Sequence, residues 1–405
     1  MTDSRSENFL RVLHLDCTMG QGGQERDHLQ EALEFRRRGH EYWIGARPET
    51  RLFSWARENG IGVPLPLRSN VDLSSFLAIR RFIVEKKIDI LVTTSYIDSV
   101  LGWLAALSTG ASRPPVIRQR HLLNPPRSLF PYRHFCDYLV TVSDIVRFSF
   151  IERGVPFWKV VSLPRGIPEP GMERSVPHSP VSPQFPDSAR VILQIGTFQR
   201  DKGQLPLMEG LLPHLLEHPS LHLLLLGEGP LRKNLEGRLA SDRFREVRDR
   251  IHLPGWTDPF PFYRRASVTV ISSFREAFPL VALESLPLGV PVVAFRQGGI
   301  PEVFDWAGWG ELVDPWNVDL LCRTAVRWAL RPELSCPKID TIRRTFSERY
   351  RIQISVDRTE RFYRWAVLKK SQRGEGNPYQ KEGGKADPFF RPPGTGTSGR
   401  EFPNQ

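Results

Sequence analysis

The segment that decides the fold is SSFREAFPLVALESLPLGVPVVAFRQGGIPE, residues 272–302. It starts at the end of an apolar strand, carries Glu276 in the turn that follows, and continues as an apolar helix that contains Glu284. The run GVPVVAF then indicates another strand, and a glycine pair leads from it to Glu302. A strand, a helix and a second strand in this order predict a parallel sheet covered by helices.

The same alternation extends in both directions from this segment. In the first half of the chain, strands are predicted at 10–15, 41–44, 88–93, 115–118 and 138–142, with helices near 74–87 and 99–107. In the second half, strands are predicted at 190–195, 221–226, 250–253, 268–272 and 291–295. The pattern predicts an α/β protein with two Rossmann-like, doubly wound domains that face a central cleft. The alternative is one large sheet with an insertion.

Composition marks the boundaries between the parts of the chain. Residues 166–188 hold six prolines and little periodicity, which predicts a linker. Residues 371–405 hold seven glycines and five prolines without apolar periodicity, which predicts a disordered tail. The two domains are therefore predicted at 9–165 and 189–343, followed by a helix at 344–370 that packs back on the first domain.

Charge and cysteine content narrow the class of protein. The chain has 56 Lys and Arg against 45 Asp and Glu, a formal net charge of +11, which favours an anionic partner such as nucleic acid, a phosphorylated small molecule or a membrane surface. Its four cysteines are widely spaced, which argues against a zinc ribbon or a disulfide scaffold and suits a reducing compartment. Without a signal-peptide pattern or a long apolar run, the sequence predicts a cytoplasmic protein that can sit on the inner face of the cytoplasmic membrane.

Two glutamates flank a predicted helix start in the opening segment. Phe278, Pro279 and Leu280 form that start, where free backbone N–H groups and the positive end of the helix dipole favour a phosphate. Glu276 beside it, and Glu284 two turns later, can accept hydrogen bonds from neutral hydroxyl groups. The alternative is that both glutamates lie on a solvated helix face.

This segment resembles the signature of glycosyltransferase family 4, whose E-x7-E pair is formed here by Glu276 and Glu284. The resemblance extends from about residue 9 to residue 335. It implies the GT-B architecture and transfer of a sugar, with retention, from a nucleotide-diphosphate sugar to an acceptor hydroxyl. The nearest members are enzymes of bacterial lipopolysaccharide or other cell-envelope glycan synthesis. The resemblance further implies that Glu276 contacts the donor sugar, Glu284 the ribose, and the backbone at 278–280 the diphosphate. The first domain then binds a glycan or lipid-linked acceptor.

A second candidate site is GTFQRDKGQ, residues 196–204, directly after a predicted strand. Arg200 and Lys202 lie at the strand end, where cations can neutralise a leaving diphosphate. Family 4 usually reads G-R-x4-K-G here, so Lys202 matches, whereas Thr197 stands in the place of the arginine. Arg200 is the predicted replacement among the donor-binding residues. The alternative is a basic surface turn.

A glycine loop, MGQGGQE at residues 19–25, is the third candidate. It fails the G-x-G-x-x-G dinucleotide fingerprint because the third position falls on Glu25. Gly22 and Gly23 resemble the glycine loop of the family and are predicted to approach the donor phosphate or the acceptor. Glu25 is assigned to the acceptor side. The alternative is a plain tight turn.

The fourth candidate is VIRQRHLLNPP, residues 116–126. His121 follows a strand and matches the family histidine that faces the donor sugar, and Arg118 and Arg120 are assigned to the acceptor side. Residues 112–136 hold five arginines and no acid, which predicts contact with an anionic lipid-linked acceptor or membrane. The alternatives are a structural histidine and a solvated basic loop.

The predicted catalytic residues are Glu276, His121 and Lys202. Arg165 occupies a family position where asparagine is common. Because the chain has no D-x-D triplet, the reaction is expected to need neither a metal nor a cofactor. Three alternatives stay open: a sugar-nucleotide epimerase of the same architecture, a catalytically silent relative, and a basic nucleic-acid-binding protein. The last lacks a known nucleic-acid-binding signature, so no nucleic acid is expected as a partner.

Overall fold

The protein is built around two separate parallel β-sheets. The structure is a computed structural model that describes residues 9–19, 23–169, 183–331 and 336–371. Within these ranges the first sheet consists of β1 (Arg11–Asp16), β2 (Glu41–Ala46), β3 (Gly62–Pro64), β4 (Ile90–Thr93), β5 (Val116–Arg120), β6 (Tyr138–Thr141) and β7 (Val160–Ser162). Its strands run parallel in the order β3-β2-β1-β4-β5-β6-β7.

The second sheet has the same plan with one strand fewer in the described part of the chain. It consists of β8 (Arg190–Ile195), β9 (Leu221–Leu226), β10 (Ile251–Gly255), β11 (Ala266–Ile271), β12 (Val292–Phe295) and β13 (Gly310–Val313). These strands are parallel in the order β10-β9-β8-β11-β12-β13. The two-domain α/β architecture predicted from the sequence is therefore confirmed.

Helices cover both faces of each sheet. The first domain contains α1 (Gly23–Arg37), α2 (Arg51–Glu58), α3 (Leu73–Glu85), α4 (Tyr96–Leu107), α5 (Phe130–His134) and α6 (Asp144–Glu152). The second contains α7 (Gln204–Glu217), α8 (Arg232–Ala240), α9 (Phe260–Tyr263), α10 (Leu280–Ser285), α11 (Ile300–Phe304) and α12 (Val318–Ala329). Because both sheet faces are covered, the central strands are buried throughout, as in the LHLLLL run of β9.

Strand order places the candidate loops at the most favourable points of both sheets. In the first sheet, successive strands are added on one side of β1 up to β3 and on its other side from β4 onward. In the second sheet, the same change of side occurs at β8, which lies between β9 and β11. Ligands of open parallel sheets bind beyond the carboxyl ends of strands at such switch points. The glycine loop follows β1, and the GTFQRDKGQ loop follows β8.

The C-terminal helical region consists of two helices rather than the single helix predicted at 344–370. α13 (Ile339–Arg349) packs Ile342 and Phe346 into a core shared with the second domain. α14 (Ile352–Ser371) packs on α1 and places Phe362 and Tyr363 in the core of the first domain. The break coincides with a backbone bridge between Ile167 and Arg351. This bridge turns the chain back toward the first domain.

The two domains also touch directly beside the cleft. Val142 and Val146 of the first domain share an apolar cluster with Phe278 and Ile300 of the second. The carboxylate of Glu302 accepts hydrogen bonds from the backbone N–H groups of Asp144 and Ile145 at 2.9 and 2.8 Å, at the start of α6. Glu302 thus ties the second domain to the first.

Two predicted features fall largely outside the described residues. These are the disordered tail at 371–405, of which only the backbone of Ser371 is described, and most of the proline-rich linker at 166–188. Among the described residues, no helix combines the length and the apolar character needed to cross a membrane.

Candidate active site

A cavity of about 740 Å³ lies between the carboxyl ends of the two sheets. The first domain lines it with Gly23, Glu25 and His121, and the second with Lys202 and Glu276. Four further predicted donor residues, Thr197, Phe278, Pro279 and Leu280, line it as well, together with Glu284. The structure therefore brings candidates from all four sequence segments to one cleft. Gly22 lies outside the described residues.

Lys202 and Glu276 face each other at the second-domain wall of the cleft. The Lys202 Nζ atom donates a hydrogen bond to Glu276 Oε2 at 2.8 Å, and the two side chains are 25% and 16% exposed. Burial would lower the pKa of Lys202, but the charge and hydrogen bond of Glu276 outweigh it and raise that pKa. Lys202 is therefore a cation at neutral pH, paired in the ligand-free protein but accessible from the cleft.

Backbone contacts hold the two loops that carry this pair. Ser272 Oγ donates to the Lys202 carbonyl at 2.8 Å, and the Phe274 N–H donates to the Asp201 carbonyl at 2.7 Å. Gly203 has φ +70°, and a Cβ atom there would lie 2.2 Å from the Ser272 carbonyl oxygen. Only glycine allows both this left-handed conformation and this close approach.

The glycine pair after β12 has the same function for the Glu276 loop. The Gly299 N–H donates to the Glu276 carbonyl at 2.8 Å. Gly298 has φ +56°, and a Cβ atom there would lie 2.1 Å from the same carbonyl oxygen. The motif GVPVVAFRQGG therefore fixes the backbone beneath Glu276 rather than contributing a side chain.

The helix after Glu276 begins at Leu280, as predicted, with Pro279 at the position just before it. A Cβ atom on Gly23 would lie 3.5 Å from Leu280 Cδ1, so the glycine loop and this helix start face each other across the cleft. On the same helix, Glu284 accepts a hydrogen bond from the buried Tyr263 hydroxyl at 2.9 Å. The two ends of α10 thus place backbone and carboxylate groups in one cavity.

The arginine predicted to replace the usual family residue is placed less favourably. Arg200 lies on a 3₁₀ turn, Arg200–Lys202, with an exposed side chain, and it is not among the described residues that line the cleft. Arg275, which the sequence analysis did not single out, does line it and donates to Asn124 Oδ1 at 3.2 Å. The donor contact of Arg200 stays a prediction without geometric support.

On the opposite wall, His121 belongs to a buried chain of hydrogen bonds. His28 Nε2 lies 3.0 Å from His121 Nε2, and His28 Nδ1 lies 2.9 Å from Asp16 Oδ2. Burial and the nearby charge of His28 hold the pKa of His121 well below its usual value. Burial acts against the charged forms of Asp16 and His28 too, but their mutual hydrogen bond and attraction lower the pKa of Asp16 to about 2 and raise that of His28. His121 is therefore neutral and is held by a charged Asp16–His28 pair.

The buried contacts of Arg165 account for an arginine at a position where the family commonly has asparagine. Its fully buried guanidinium forms ion pairs with Asp27, at 2.9 Å, and with Glu31, and it donates to Gln119 Oε1 at 2.6 Å. Burial raises the pKa of Asp27 to about 6 although the positive charge of Arg165 opposes this shift. A cation is required here because two carboxylates from α1 are buried beside it.

This network is not predicted from the sequence, although the spacing of its residues on α1 is a signal for it. Glu31 lies four residues after Asp27 and three after His28 on α1, in a stretch that has the pattern of an ordinary polar helix face. In the structure that face is buried, and Glu31 also accepts a hydrogen bond from Tyr42 of β2 at 3.0 Å. Glu25, on the next turn toward the cleft, is also buried and accepts from the Thr18 hydroxyl at 3.2 Å.

Part of the network has the composition of a metal site. Ligand atoms of Asp27, His28 and His121 all lie within 4.8 Å of one another, which is close enough to hold a metal ion. The two histidine nitrogens already share a hydrogen bond, and Asp27 is paired with Arg165. The side chains therefore have protein partners as they stand. The expectation that no metal is required stays a prediction.

Arg118 and Arg120 line a second cavity, of about 580 Å³, in the first domain. Arg120 donates to the carbonyl of Leu122 at 3.0 Å, to the Tyr132 hydroxyl at 3.1 Å and to the carbonyl of Asn124. It therefore fixes the loop after His121. The cavity shares His121 and Leu122 with the cleft, so the predicted acceptor side opens onto the predicted donor site.

Comparison with known proteins gives family matches to both domains. The model of Glycosyltransferase Family 4 matches residues 21–169, and that of Glycosyl transferases group 1 matches residues 189–329. A lipopolysaccharide core biosynthesis glycosyltransferase of Rhizobium meliloti is 26% identical over 354 residues, which cover 84% of this chain and 95% of the relative.

Solved structures share the fold over nearly the whole chain. A glycosyltransferase from Rickettsia africae has a TM-score of 0.72 at 20% identity and covers 89% of this chain and 99% of its own. HepE from Anabaena, in complex with UDP-glucose, has a TM-score of 0.68 at 15% identity and covers 90% and 100%, respectively. These likenesses show a GT-B arrangement of two Rossmann-like domains.

Proposed function

The chain is a glycosyltransferase of the family 4 type, and from that premise we propose that it transfers a sugar from a nucleotide-diphosphate sugar to an acceptor hydroxyl. The observation that carries the proposal is the cleft of about 740 Å³, in which Lys202, Glu276 and Glu284 lie opposite His121. Because the chain belongs to a glycosyltransferase family, a transferase is favoured over the two alternatives of a sugar-nucleotide epimerase and a nucleic-acid-binding protein.

Lys202 is proposed to take the negative charge that develops on the departing diphosphate. It is cationic and lines the cleft, and its partner Glu276 lies on a loop that also lines it. A diphosphate offers Lys202 a more highly charged partner than one carboxylate does. Glu276 is then released to accept hydrogen bonds from the hydroxyls of the donor sugar. A fixed cation aimed at developing charge is among the most effective contributions to catalysis.

His121 is proposed to orient the donor sugar from the first-domain wall. Because its pKa lies well below neutrality, it acts as a neutral hydrogen-bonding group and not as a second cation. Its ring is fixed by His28, which is in turn fixed by Asp16. Glu284, held by Tyr263, is proposed to contact the ribose, and the backbone at 278–280 the diphosphate.

Retention at the anomeric carbon, a nucleotide-sugar donor and an acceptor in cell-envelope glycan synthesis complete the proposal. The structure of HepE with UDP-glucose and the name of the Rhizobium meliloti relative support the last two. We place the reaction at the inner face of the cytoplasmic membrane. The exposed Leu122, Arg127 and Phe130 near the second cavity support that location.

The test begins with thermal unfolding of the full chain in the presence of a panel of nucleotide-diphosphate sugars. A cognate donor at 100 times its Kd should stabilise the protein by about 2.7 kcal/mol. With that donor, Lys202→Gln and Glu276→Gln should each lower kcat by about 10²- to 10³-fold. Glu217→Gln, which changes a carboxylate 69% exposed on α7, is the matched control and should leave kcat unchanged.

Four outcomes would contradict parts of this proposal. If no nucleotide sugar stabilises the protein, or if Glu276→Gln retains full turnover, the site assignment is wrong. An inverted anomeric configuration in the product, read by NMR, would exclude retention. Loss of turnover in a chelator, restored by a divalent metal, would exclude a metal-independent reaction.

A further inference from the structure

The second cavity of the first domain contains a buried cation, and the described residues leave two of its hydrogen-bond donor atoms without an acceptor. Arg118 on β5 is 3% exposed and lines this cavity of about 580 Å³. Its Nε and Nη1 atoms are buried and have no hydrogen-bond partner among the described residues. Its guanidinium instead lies over the Tyr132 ring, 3.8 Å from the centroid. Buried charged groups are normally paired, so unmet donors here indicate a partner that is bound in use.

Three other arginines of the basic stretch at 112–136 each bond at least part of the guanidinium to the protein. Arg113 is paired with Asp137 at 2.8 Å, Arg120 donates to the loop that follows His121, and Arg133 donates to the Arg153 carbonyl at 3.0 Å. Most of the basic stretch is therefore structural. Of the arginines that line the cavity, Arg118 is buried with donors unmet by the described residues, and Arg127 is exposed.

The surroundings of Arg118 offer it no counter-ion. The described residues that line the cavity include no aspartate or glutamate. Asp98, whose charge interacts with Arg118 at longer range, has both carboxylate oxygens occupied by the backbone or side chains of Cys17, Thr94 and Ser95. A cavity with a buried cation, two further arginines and no acid among its described lining residues selects for a negative group.

We propose that this cavity binds an anionic group of the acceptor, a phosphate or a carboxylate, through Arg118. The proposal rests on the proposed function and names the chemistry of its second substrate. A planar guanidinium matches the oxygens of either group, and such charge-assisted hydrogen bonds are stronger than neutral ones. Since the cavity shares His121 with the cleft, an acceptor anchored at Arg118 can extend a hydroxyl toward the donor sugar.

The first experiment measures the binding of inorganic phosphate and of acetate to the full chain, with chloride at equal ionic strength as reference. All proteins carry Lys202→Gln, so that anion binding at the donor side is weakened. In this background Arg118→Gln should weaken the tighter-binding anion at least about tenfold, which corresponds to about 1.4 kcal/mol. Arg80→Gln removes an equally charged but exposed side chain on α3 and should change nothing.

Several results would overturn the proposal. One is anion binding that is equal with and without Arg118→Gln, and another is the absence of binding by both anions. If circular dichroism shows that Arg118→Gln is unfolded, Arg118→Lys decides instead. Lysine keeps the charge but loses the planar donors, so binding should weaken about threefold or more. Unchanged affinity in a folded Arg118→Lys variant would then count against the guanidinium.

A second experiment separates the two sources of negative charge. Glucose 6-phosphate, glucuronate and methyl glucoside are compared as ligands of the full chain without the Lys202→Gln substitution. One of the charged sugars should bind at least about tenfold more tightly than methyl glucoside, and Arg118→Gln should abolish that advantage. Equal binding of all three sugars overturns the proposal.

The two proposals fail in different ways. A nucleotide sugar that stabilises the protein, combined with anion binding that is independent of Arg118, overturns the acceptor anchor alone. Anion binding that depends on Arg118, in a protein that no nucleotide sugar stabilises, overturns the proposed transfer alone.

Discussion

The two walls of the cleft are held in place by different kinds of contact. On the first-domain wall, His121 is fixed by a fully buried network of charged side chains that includes Asp16, His28 and Arg165. On the second-domain wall, Lys202 and Glu276 are partly exposed, and it is the backbone beneath them that is fixed through glycines. One wall is rigid in its side chains, whereas the other is rigid in its main chain.

This difference suits the different work proposed for the two walls. A neutral histidine that orients a sugar needs a fixed ring, and buried charge pairs restrict side-chain rotation because each partner would be costly to leave alone. A lysine that passes from a carboxylate to a diphosphate needs a mobile side chain on a fixed backbone. Glycine helps to fix that backbone because it allows loops to approach within distances that a Cβ atom would prevent.

The largest effect is expected where the side-chain network is broken. Arg165→Met leaves Asp27 and Glu31 buried without their cation, which should lower the free energy of unfolding by about 3–5 kcal/mol. Urea denaturation at pH 7 measures this change. The exposed Arg80→Gln should stay within about 0.5 kcal/mol of the unmodified chain. A loss in Arg165→Met as small as that of the control would show that the network does not hold the wall.

A smaller effect is expected where the close backbone contact between Gly203 and the Ser272 carbonyl is disturbed. Gly203→Ala forces a side chain into a left-handed conformation and against the Ser272 carbonyl, which should cost about 1–3 kcal/mol and displace Lys202. Gly237→Ala on α8 is the matched control, because its Cβ atom meets nothing within 4 Å. That change should stabilise the protein by about 0.4–1 kcal/mol. Thermal unfolding and donor turnover compare the two variants. Equal stability and turnover of both would contradict the requirement for glycine at position 203.

A third effect, on the pH dependence of stability, concerns Glu302, which joins the two walls. Burial raises its pKa to about 7 from 4.5, although the N–H groups of Ile145 and Asp144 favour the charged form. Because the folded protein holds a proton that the unfolded chain releases, this contribution to stability is present below about pH 4.5 and is lost as the pH rises through about 7. Unfolding measured from pH 4 to 8 should show this slope relative to Glu302→Gln. Parallel pH profiles would contradict it.

Sequence patterns predicted the fold because they are local. The strand, helix and strand of the 272–302 segment each span a few residues, and β11, α10 and β12 lie where the apolar periodicity placed them. Short elements such as β3 and β7, of three residues each, carry too little pattern to be recognised before their neighbours are known. The break between α13 and α14 depends on a bridge from Ile167 to Arg351, far away in sequence.

The candidate site was predicted where the residues follow strands, and was missed where they face inward. Lys202, Glu276 and His121 follow strand ends, Glu284 lies on the helix after Glu276, and the structure places all four in one cleft. Asp27, His28 and Glu31 of α1 were missed because a polar helix face is usually solvated. Similarly, the basic stretch at 112–136 was read as one surface, whereas the structure shows that most of its arginines are bonded within the protein.

The two parallel sheets, the loops at their carboxyl ends and the chemical groups available there follow from local sequence patterns alone. Periodicity and glycine position are properties of neighbouring residues, so they can be read before the chain is folded. Only tertiary packing shows which charges are buried together and which buried cation has donors that no described residue meets. Arg165 meets Glu31 from 134 positions away, and Tyr363 meets it from 332. Such pairs depend on how distant segments pack, because burial in a shared low-dielectric interior is what makes a charge need its partner.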